Sequence, residues 1–128
     1  MYQQATQAYQ QSANTSASMD PRALEAEALM KAAARLSVLQ REWTTVSIEE
    51  RNDALIFNRT LWTIFVAEAT ETTSELPFPL QNNIANLGLF IFNRTLEMMA
   101  GEDPVALETM ININKSLAAG LRGQKAAP

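Results

Sequence analysis

Apolar residues recur every three or four positions in four stretches of the chain, a spacing that places them along one face of an α-helix. The most regular stretch carries its apolar residues at intervals of 3, 4, 3 and 4 positions: Leu29, Ala32, Leu36, Leu39 and Trp43. A narrow stripe of this kind packs against neighbouring helices. Because no stretch combines apolar/polar alternation with β-branched enrichment, the pattern predicts no β-strand.

Three short motifs indicate where helices begin. The pairs Asp20–Pro21 and Asp103–Pro104 each place a capping side chain before a proline, whose missing N–H group is tolerated in the first helical turn. Ser47 and Glu50 form a capping box, in which each residue can satisfy a backbone N–H group near the other. We therefore expect helices to begin directly after Asp20, Ser47 and Asp103.

The ends of the helices have weaker signals. The first helix is expected to run to about Val46, where β-branched residues weaken it. A third helix is expected to begin at Pro79 and to end near Ala100. The last helix is expected to close at Gly120 and Gly123, because glycine favours helix termini.

The predicted fold is all-α: a small antiparallel bundle of about four helices with a frayed or short helical N-terminal segment. The length of 128 residues and the apolar fraction of 47% suit one domain, which we place at residues 20–123. Residues 1–19 are polar and rich in glutamine, and residues 124–128 are expected to form a flexible tail. Within the first segment, three residues recur at helical spacing: Tyr2, Ala5 and Tyr9.

The composition excludes most familiar catalytic sites. Histidine and cysteine are both absent, which removes the usual general acid/base, the thiolate nucleophile and the preferred zinc ligands. The acidic residues do not match the EF-hand order of ligands and glycine, and the four glycines are too isolated for a phosphate-binding loop. We therefore expect no enzyme activity, no cofactor and no metal site.

The charge pattern bears on partners and location. A formal net charge of −4 disfavours contact with nucleic acid and anionic lipid, and no window clusters enough of the ten Lys and Arg residues to offset it. Residues 1–19 lack the basic and apolar regions of a signal peptide, and residues 76–93 are too polar to span a membrane. We expect a cytoplasmic protein that binds neither nucleic acid nor membrane directly.

A hexapeptide occurs twice: Ile56–Leu61 and Ile91–Leu96 are identical, 35 positions apart. The repeat is either an internal duplication or a coincidence within helices of similar composition. Each copy places an arginine, Arg59 or Arg94, on an apolar stripe. The methylene stem of such an arginine can cover the edge of a core, or its guanidinium can bind a partner carboxylate beside the aromatic anchor Trp62.

An asparagine, Asn114, interrupts the apolar stripe of the last predicted helix. A buried amide at such a position can fix the register of the helices at some cost in stability. The simpler interpretation, which we favour, is an ordinary core residue that is hydrogen-bonded.

Ordered motifs along most of the chain resemble the FlaF family of bacterial flagellar biosynthesis regulators. The most specific motif is Asn-Arg-Thr-Leu-Trp, and the others agree in order and spacing. They fall at Tyr9; at Pro21, Arg22 and Glu25; at Asn58, Arg59, Leu61 and Trp62; at Leu76 and Pro77; at Ile113 and Asn114; and at Gly120 and Leu121.

The resemblance implies a non-enzymatic cytoplasmic protein that promotes flagellin production after transcription, as a flagellin-binding secretion chaperone. The alternative is a translation regulator acting on flagellin mRNA, directly or with the regulator FlbT. A third hypothesis is an adaptor that joins other regulators through residues 1–19. The expected partner is flagellin, with FlbT as a functional partner, and the predicted protein-binding residues are Asn58, Arg59, Trp62 and Arg94.

Overall fold

The computed structural model describes residues 20–126, and side chains as far as Gly123. This part of the chain forms four α-helices and no strand: α1, Pro21–Arg41; α2, Ile48–Ala69; α3, Phe78–Met99; and α4, Leu107–Ala126. A single 3-10 turn, Pro104–Ala106, leads directly into α4. The predicted all-α bundle of about four helices is confirmed. The predicted N-terminal segment 1–19 lies outside the described residues.

The predicted helix starts are present because each depends on a local cap. The Asp20 carboxylate accepts a hydrogen bond from the Arg22 N–H group at 2.7 Å, and Pro21 opens α1. The Ser47 hydroxyl accepts from the Glu50 N–H group at 3.1 Å. At Asp103, the carboxylate caps the 3-10 turn that precedes α4. These contacts satisfy backbone donors that have no partner within the helix.

The predicted helix ends are less accurate. The first helix stops at Arg41 instead of Val46, and the chain turns before α2. The closing of the last helix at Gly120 and Gly123 is wrong: both glycines are exposed within α4, which continues to Ala126 and so takes up the first residues of the expected tail. Glycine lowers helix stability without ending a helix whose other face is well packed.

A turn between α1 and α2 is held by Arg51. Its guanidinium donates to the backbone oxygen of Trp43 at 2.6 and 3.1 Å and stacks on the Trp43 ring, 4.1 Å from its centroid. Trp43 therefore stays buried although it lies beyond the end of α1. The contact fixes where the chain enters α2.

Neighbouring helices pack unequally. The most extensive interface joins α1 and α4, followed by α2 with α3 and α1 with α2, whereas α3 and α4 touch at few points. At Gly88 the backbone of α3 lies close to the side chain of Val66 in α2, because a Cβ atom on Gly88 would be 2.6 Å from Val66 Cγ2. Because α3 and α4 touch at few points, the bundle has one open side, which lies between these two helices. Within the described residues, no helix has the length and apolar character needed to cross a membrane.

Candidate functional site

A hydrogen-bonded network of polar side chains lies in the centre of the bundle. Asn114 of α4 donates to the Asn58 amide oxygen of α2 at 2.8 Å and accepts from Trp62 Nε1 at 2.8 Å. Asn58 Nδ2 also lies 4.0 Å from the Met110 sulfur. All three side chains of the network are buried, with Trp62 and Asn114 fully inaccessible. The hydrogen bonds therefore connect α2 and α4 across the core.

Two of the four predicted binding residues belong to this buried network, so a binding partner cannot reach them in the folded chain. Asn58 and Trp62 belong to the core of the bundle, whereas Arg59 and Arg94 are partly exposed. A partner of the folded chain can contact the two arginines but not the tryptophan beside which they were expected to act. The structure does not bring the four residues together on one surface, and their binding role stays a prediction. The favoured interpretation of Asn114, a hydrogen-bonded core residue, is confirmed.

Arg94 adopts the arrangement expected of an arginine at the edge of a core. Its guanidinium lies 5.1 Å from the centroid of the Phe90 ring, and its Nε atom is 3.5 Å from a carboxylate oxygen of Glu97. The guanidinium thus lies over an aromatic ring and has a carboxylate neighbour. A partner carboxylate would have to compete with Glu97 for this position.

An exposed apolar stripe runs along α3. Its three large members, Phe78, Leu89 and Leu96, are 70%, 62% and 60% exposed. They are separated by 11 and 7 positions, and at about 100° per residue both intervals return to the same side of the helix. We call Phe78, Leu89 and Leu96 the α3 stripe. The stripe lies away from the side of α3 that packs on α2.

The second surface feature is the groove on the open side of the bundle. Half-buried Leu87 of α3 and Ile113 and Leu117 of α4 form its floor. The rest of its lining is polar and uncharged: Asn83, Thr109, Asn112 and Ser116. The volume is about 430 Å³. We call it the α3–α4 groove, and it had no signal in the sequence because periodicity does not show which helix faces remain apart.

A third feature is an acidic cleft where the start of α1 meets the end of α2 and the loop after it. Its volume is about 350 Å³, and its lining includes Asp20, Arg22, Glu25 and Glu68. One carboxylate oxygen of Glu25 is buried and has no hydrogen-bond partner among the described residues. Burial, assisted by the negative charges of Glu68 and Asp20, raises the pKa of Glu25 from 4.5 to about 7, although Arg22 opposes the shift.

Sequence reasoning missed the unusual position of Glu25, although a signal was present. Glu25 precedes Leu29 by four positions and therefore continues the apolar stripe of α1 towards its start. A carboxylate on that stripe is expected to be partly buried. No group of three or more acidic side chains in the described part of the chain is arranged to hold a metal ion.

The two copies of the hexapeptide lie on the adjacent helices α2 and α3 but differ in environment. The first copy places Asn58 and Leu61 in the core, whereas the corresponding Asn93 and Leu96 are exposed. Equal sequences therefore do not occupy equivalent structural positions. The question of a duplication stays open.

Comparison with known proteins gives one match. Searches of curated proteins and of solved structures found no significant similarity. The family profile described as flagellar protein FlaF matches residues 5–121, which is nearly the whole chain and includes α1, α2, α3 and most of α4. The chain therefore belongs to the FlaF family and is a flagellar protein involved in flagellar biosynthesis.

Proposed function

We propose that the chain promotes flagellin production after transcription by binding flagellin in the cytoplasm as a secretion chaperone without enzymatic activity. Family membership supports the connection with the flagellum, and the α3 stripe supports a binding role. Large apolar side chains aligned along one exposed helix face are typical of a protein interaction surface. The stripe is the single observation that carries the proposal.

The dimensions of the α3 stripe suit a partner helix. Phe78 and Leu96 are 18 positions apart, so the stripe is about 27 Å long at a rise of about 1.5 Å per residue. An amphipathic helix of about five turns, with apolar residues at helical spacing, would cover it. Flagellin kept in the unassembled state has to shield such a face, and a chaperone can provide the shield.

Arg59 and Arg94 remain predicted contacts for a carboxylate of the partner. Arg94 is two positions from Leu96 and therefore points to a different side of α3 from the stripe. The two arginines would consequently act outside the α3 stripe, where charges affect association rate and specificity more than affinity. Binding of flagellin at the stripe does not depend on them.

The direct test measures the affinity of the purified chain for purified monomeric flagellin by calorimetry. The variant Leu89→Ser with Leu96→Ser is expected to bind roughly 30-fold or more weakly, because each leucine loses about 1 to 2 kcal/mol of apolar burial. Since both side chains are exposed in the free chain, the variant should retain its fold. The matched control replaces two exposed valines away from α3, Val38→Ser with Val105→Ser, and should bind normally.

Two results would contradict the proposal. Unchanged affinity of the leucine variant would exclude the α3 stripe as the binding surface, and absence of any flagellin binding by the unmodified chain would remove the chaperone role. In the second case, binding of flagellin mRNA with a steep salt dependence, alone or with FlbT present, would support the translation regulator instead. Arg59→Glu with Arg94→Glu tests the predicted contacts outside the α3 stripe and should mainly slow association.

A further inference from the structure

We propose that the N-terminal segment of this same chain, residues 1–19, docks in the α3–α4 groove with Tyr2 and Tyr9 against its floor. The segment would then complete the bundle on its open side. This inference concerns a surface other than the α3 stripe and does not depend on flagellin binding.

The groove lies between one side of α3 and one side of α4 that no other described helix covers. The core face of α3 packs on α2 and that of α4 packs on α1, so the side of each helix that faces the other is left without cover. Leu87, Ile113 and Leu117 are half-buried there, in an apolar floor between polar walls. A helix laid between α3 and α4 would remove this apolar surface from water.

The absence of charge in the groove matches the first 19 residues, and the one other uncharged stretch of similar length, residues 76–93, mostly belongs to α3, which forms one wall of the groove. None of the groove side chains is charged. Residues 1–19 contain no Asp, Glu, Lys or Arg, whereas all ten basic and all fourteen acidic residues of the chain follow them. Docking a charged segment would require desolvation of its ionised groups, which an uncharged segment avoids. Glutamine, serine and threonine side chains can pair with the amides and hydroxyls of the groove walls.

The spacing of apolar residues in the segment also fits. Tyr2, Ala5 and Tyr9 are separated by three and four positions, which places them on one side of a helix with a small residue between two large ones. A tyrosine ring offers an apolar surface to leucine and isoleucine, and its hydroxyl can bond to an amide at the groove edge. Asn83 and Asn112 supply such amides, one on each wall.

The chain enters the bundle at the correct end. Asp20 lines the acidic cleft together with Leu76, which lies two positions before α3, and Asn83 of the groove is only seven positions beyond Leu76. Residues 10–19 can span up to about 33 Å when extended, which is ample for this distance. Because the segment is tethered, its local concentration at the groove is in the millimolar range, so even a weak contact is occupied.

The test uses the absence of native cysteine. A spin label attached at Ser12→Cys in the full chain broadens the NMR signals of nearby methyl groups. We expect the methyl signals of Leu87, Ile113 and Leu117 to lose at least half of their intensity, while those of Val38, on the exposed side of α1, are unchanged. No selective loss at the groove methyls would overturn the proposal.

Three further samples identify the occupant. In the variant Tyr2→Ser with Tyr9→Ser the broadening should disappear, whereas the matched variant Gln3→Ser with Gln10→Ser should keep it. The third sample mixes two forms of the chain. One form carries the isotope label but no spin label, and the other carries the spin label but no isotope label. This mixture should show no broadening. Broadening in that mixture would assign the groove to a second copy of the chain, and broadening that survives loss of both tyrosines would show that the tether alone is responsible. Either result would overturn docking of the segment in its own groove.

Discussion

At the scale of single residues, Asn114 has the most constrained role in the molecule. Its amide donates to Asn58 and accepts from the Trp62 indole, and no water-accessible surface remains on it. The net energy of its hydrogen bonds contributes little to stability. A buried amide of this kind matters more because its loss would leave the buried groups that it bonds without a hydrogen-bond partner. The side chain is therefore expected to tolerate no apolar replacement by itself.

The substitution Asn114→Leu tests this role. It leaves the Trp62 N–H group and the Asn58 amide oxygen buried without partners, and we expect the free energy of unfolding to fall by about 2 to 4 kcal/mol. Urea denaturation provides the measurement. Asn86→Leu on the exposed side of α3 is the matched control and should change stability by no more than about 0.5 kcal/mol. An equally small effect at Asn114 would show that the network is not important for stability.

A second comparison uses the repeated hexapeptide, which places a buried threonine in each copy. The Thr60 hydroxyl is buried and has no partner among the described residues, whereas the Thr95 hydroxyl donates to the Ile91 backbone oxygen at 2.7 Å. Valine has nearly the same shape without the hydroxyl. We expect Thr60→Val to raise the free energy of unfolding by about 1 kcal/mol and Thr95→Val to lower it by a similar amount. Effects of the same sign in thermal denaturation would contradict this account.

The interaction partners of a residue could be predicted from the sequence only where they lie close to it along the chain. Asp20, Ser47 and Asp103 were identified as caps because their partners lie within three positions in the sequence. Asn58 and Trp62 were predicted at a binding surface, since nothing in the sequence shows that Asn114, more than 50 positions away, is their partner. The composition of a motif indicates that its residues matter, but it does not distinguish a core role from a surface role.

At the scale of elements, the hexapeptide separates what local sequence decides from what it leaves open. Both copies are helical, so the local preference is sufficient to form the element. Their burial differs because α2 lies between α1 and α3, whereas α3 contacts mainly α2. Position in the bundle therefore determines which side of a helix is covered, and that position is the part of the fold that periodicity could not predict.

The contact between α2 and α3 gives a prediction from a pair of glycines. A Cβ atom at Gly88 would lie 2.6 Å from Val66, while one at Gly120 would meet no atom within 4 Å. We therefore expect Gly88→Ala to destabilise the chain by about 1 to 3 kcal/mol, because the stiff valine cannot move aside cheaply. Gly120→Ala should stabilise it by up to about 1 kcal/mol through improved helix propensity. Urea midpoints measure both, and stabilisation by Gly88→Ala would show that α2 and α3 are not in close contact.

The acidic cleft, where the start of α1 meets the end of α2, makes stability depend on pH. The pKa of Glu25 is raised to about 7 in the folded chain, mainly by burial and next by Glu68, so folding disfavours its charged form. The stability associated with the protonated carboxyl is complete below about pH 4.5 and is lost as the pH rises through 7. The full shift would correspond to about 3 kcal/mol, which solvent screening of this partly exposed group reduces to about 1 to 2 kcal/mol.

Glu25→Gln should remove this dependence. We expect the variant to be more stable than the unmodified chain at pH 8 and to show a flatter profile of unfolding free energy between pH 5 and 8. Glu27→Gln is the matched control, because Glu27 lies on the same helix in a partly exposed ion pair with Lys31. If both variants gave the same profile as the unmodified chain, Glu25 would not be the group responsible.

At the scale of the whole molecule, the helices differ in how well they are packed: α1 and α4 share a large interface, whereas α3 has much less contact with the rest of the bundle. The interface of α1 with α4 is the largest in the described part of the chain, and the asparagine network ties α2 to it. The third helix depends chiefly on α2 and exposes the α3 stripe on its outer side. The same geometry that leaves apolar surface available for a partner therefore leaves α3 with the fewest contacts to retain it.

Hydrogen exchange in the native state tests that consequence. Amides of α3 are expected to exchange through an opening in which α3 separates from α2, at a free energy at least about 1 kcal/mol below that of α1 and α4. Mass spectrometry of the full chain at low urea concentrations would resolve the difference by peptide. Gly88→Ala should lower the opening free energy of α3 and that of α1 and α4 by a similar amount and leave the difference between them nearly unchanged, since the contact of Gly88 with α2 is lost in both openings. Exchange of all four helices at one common free energy would instead show that the bundle opens only as a whole. The weak contact between α3 and α4 would then not allow α3 to open separately.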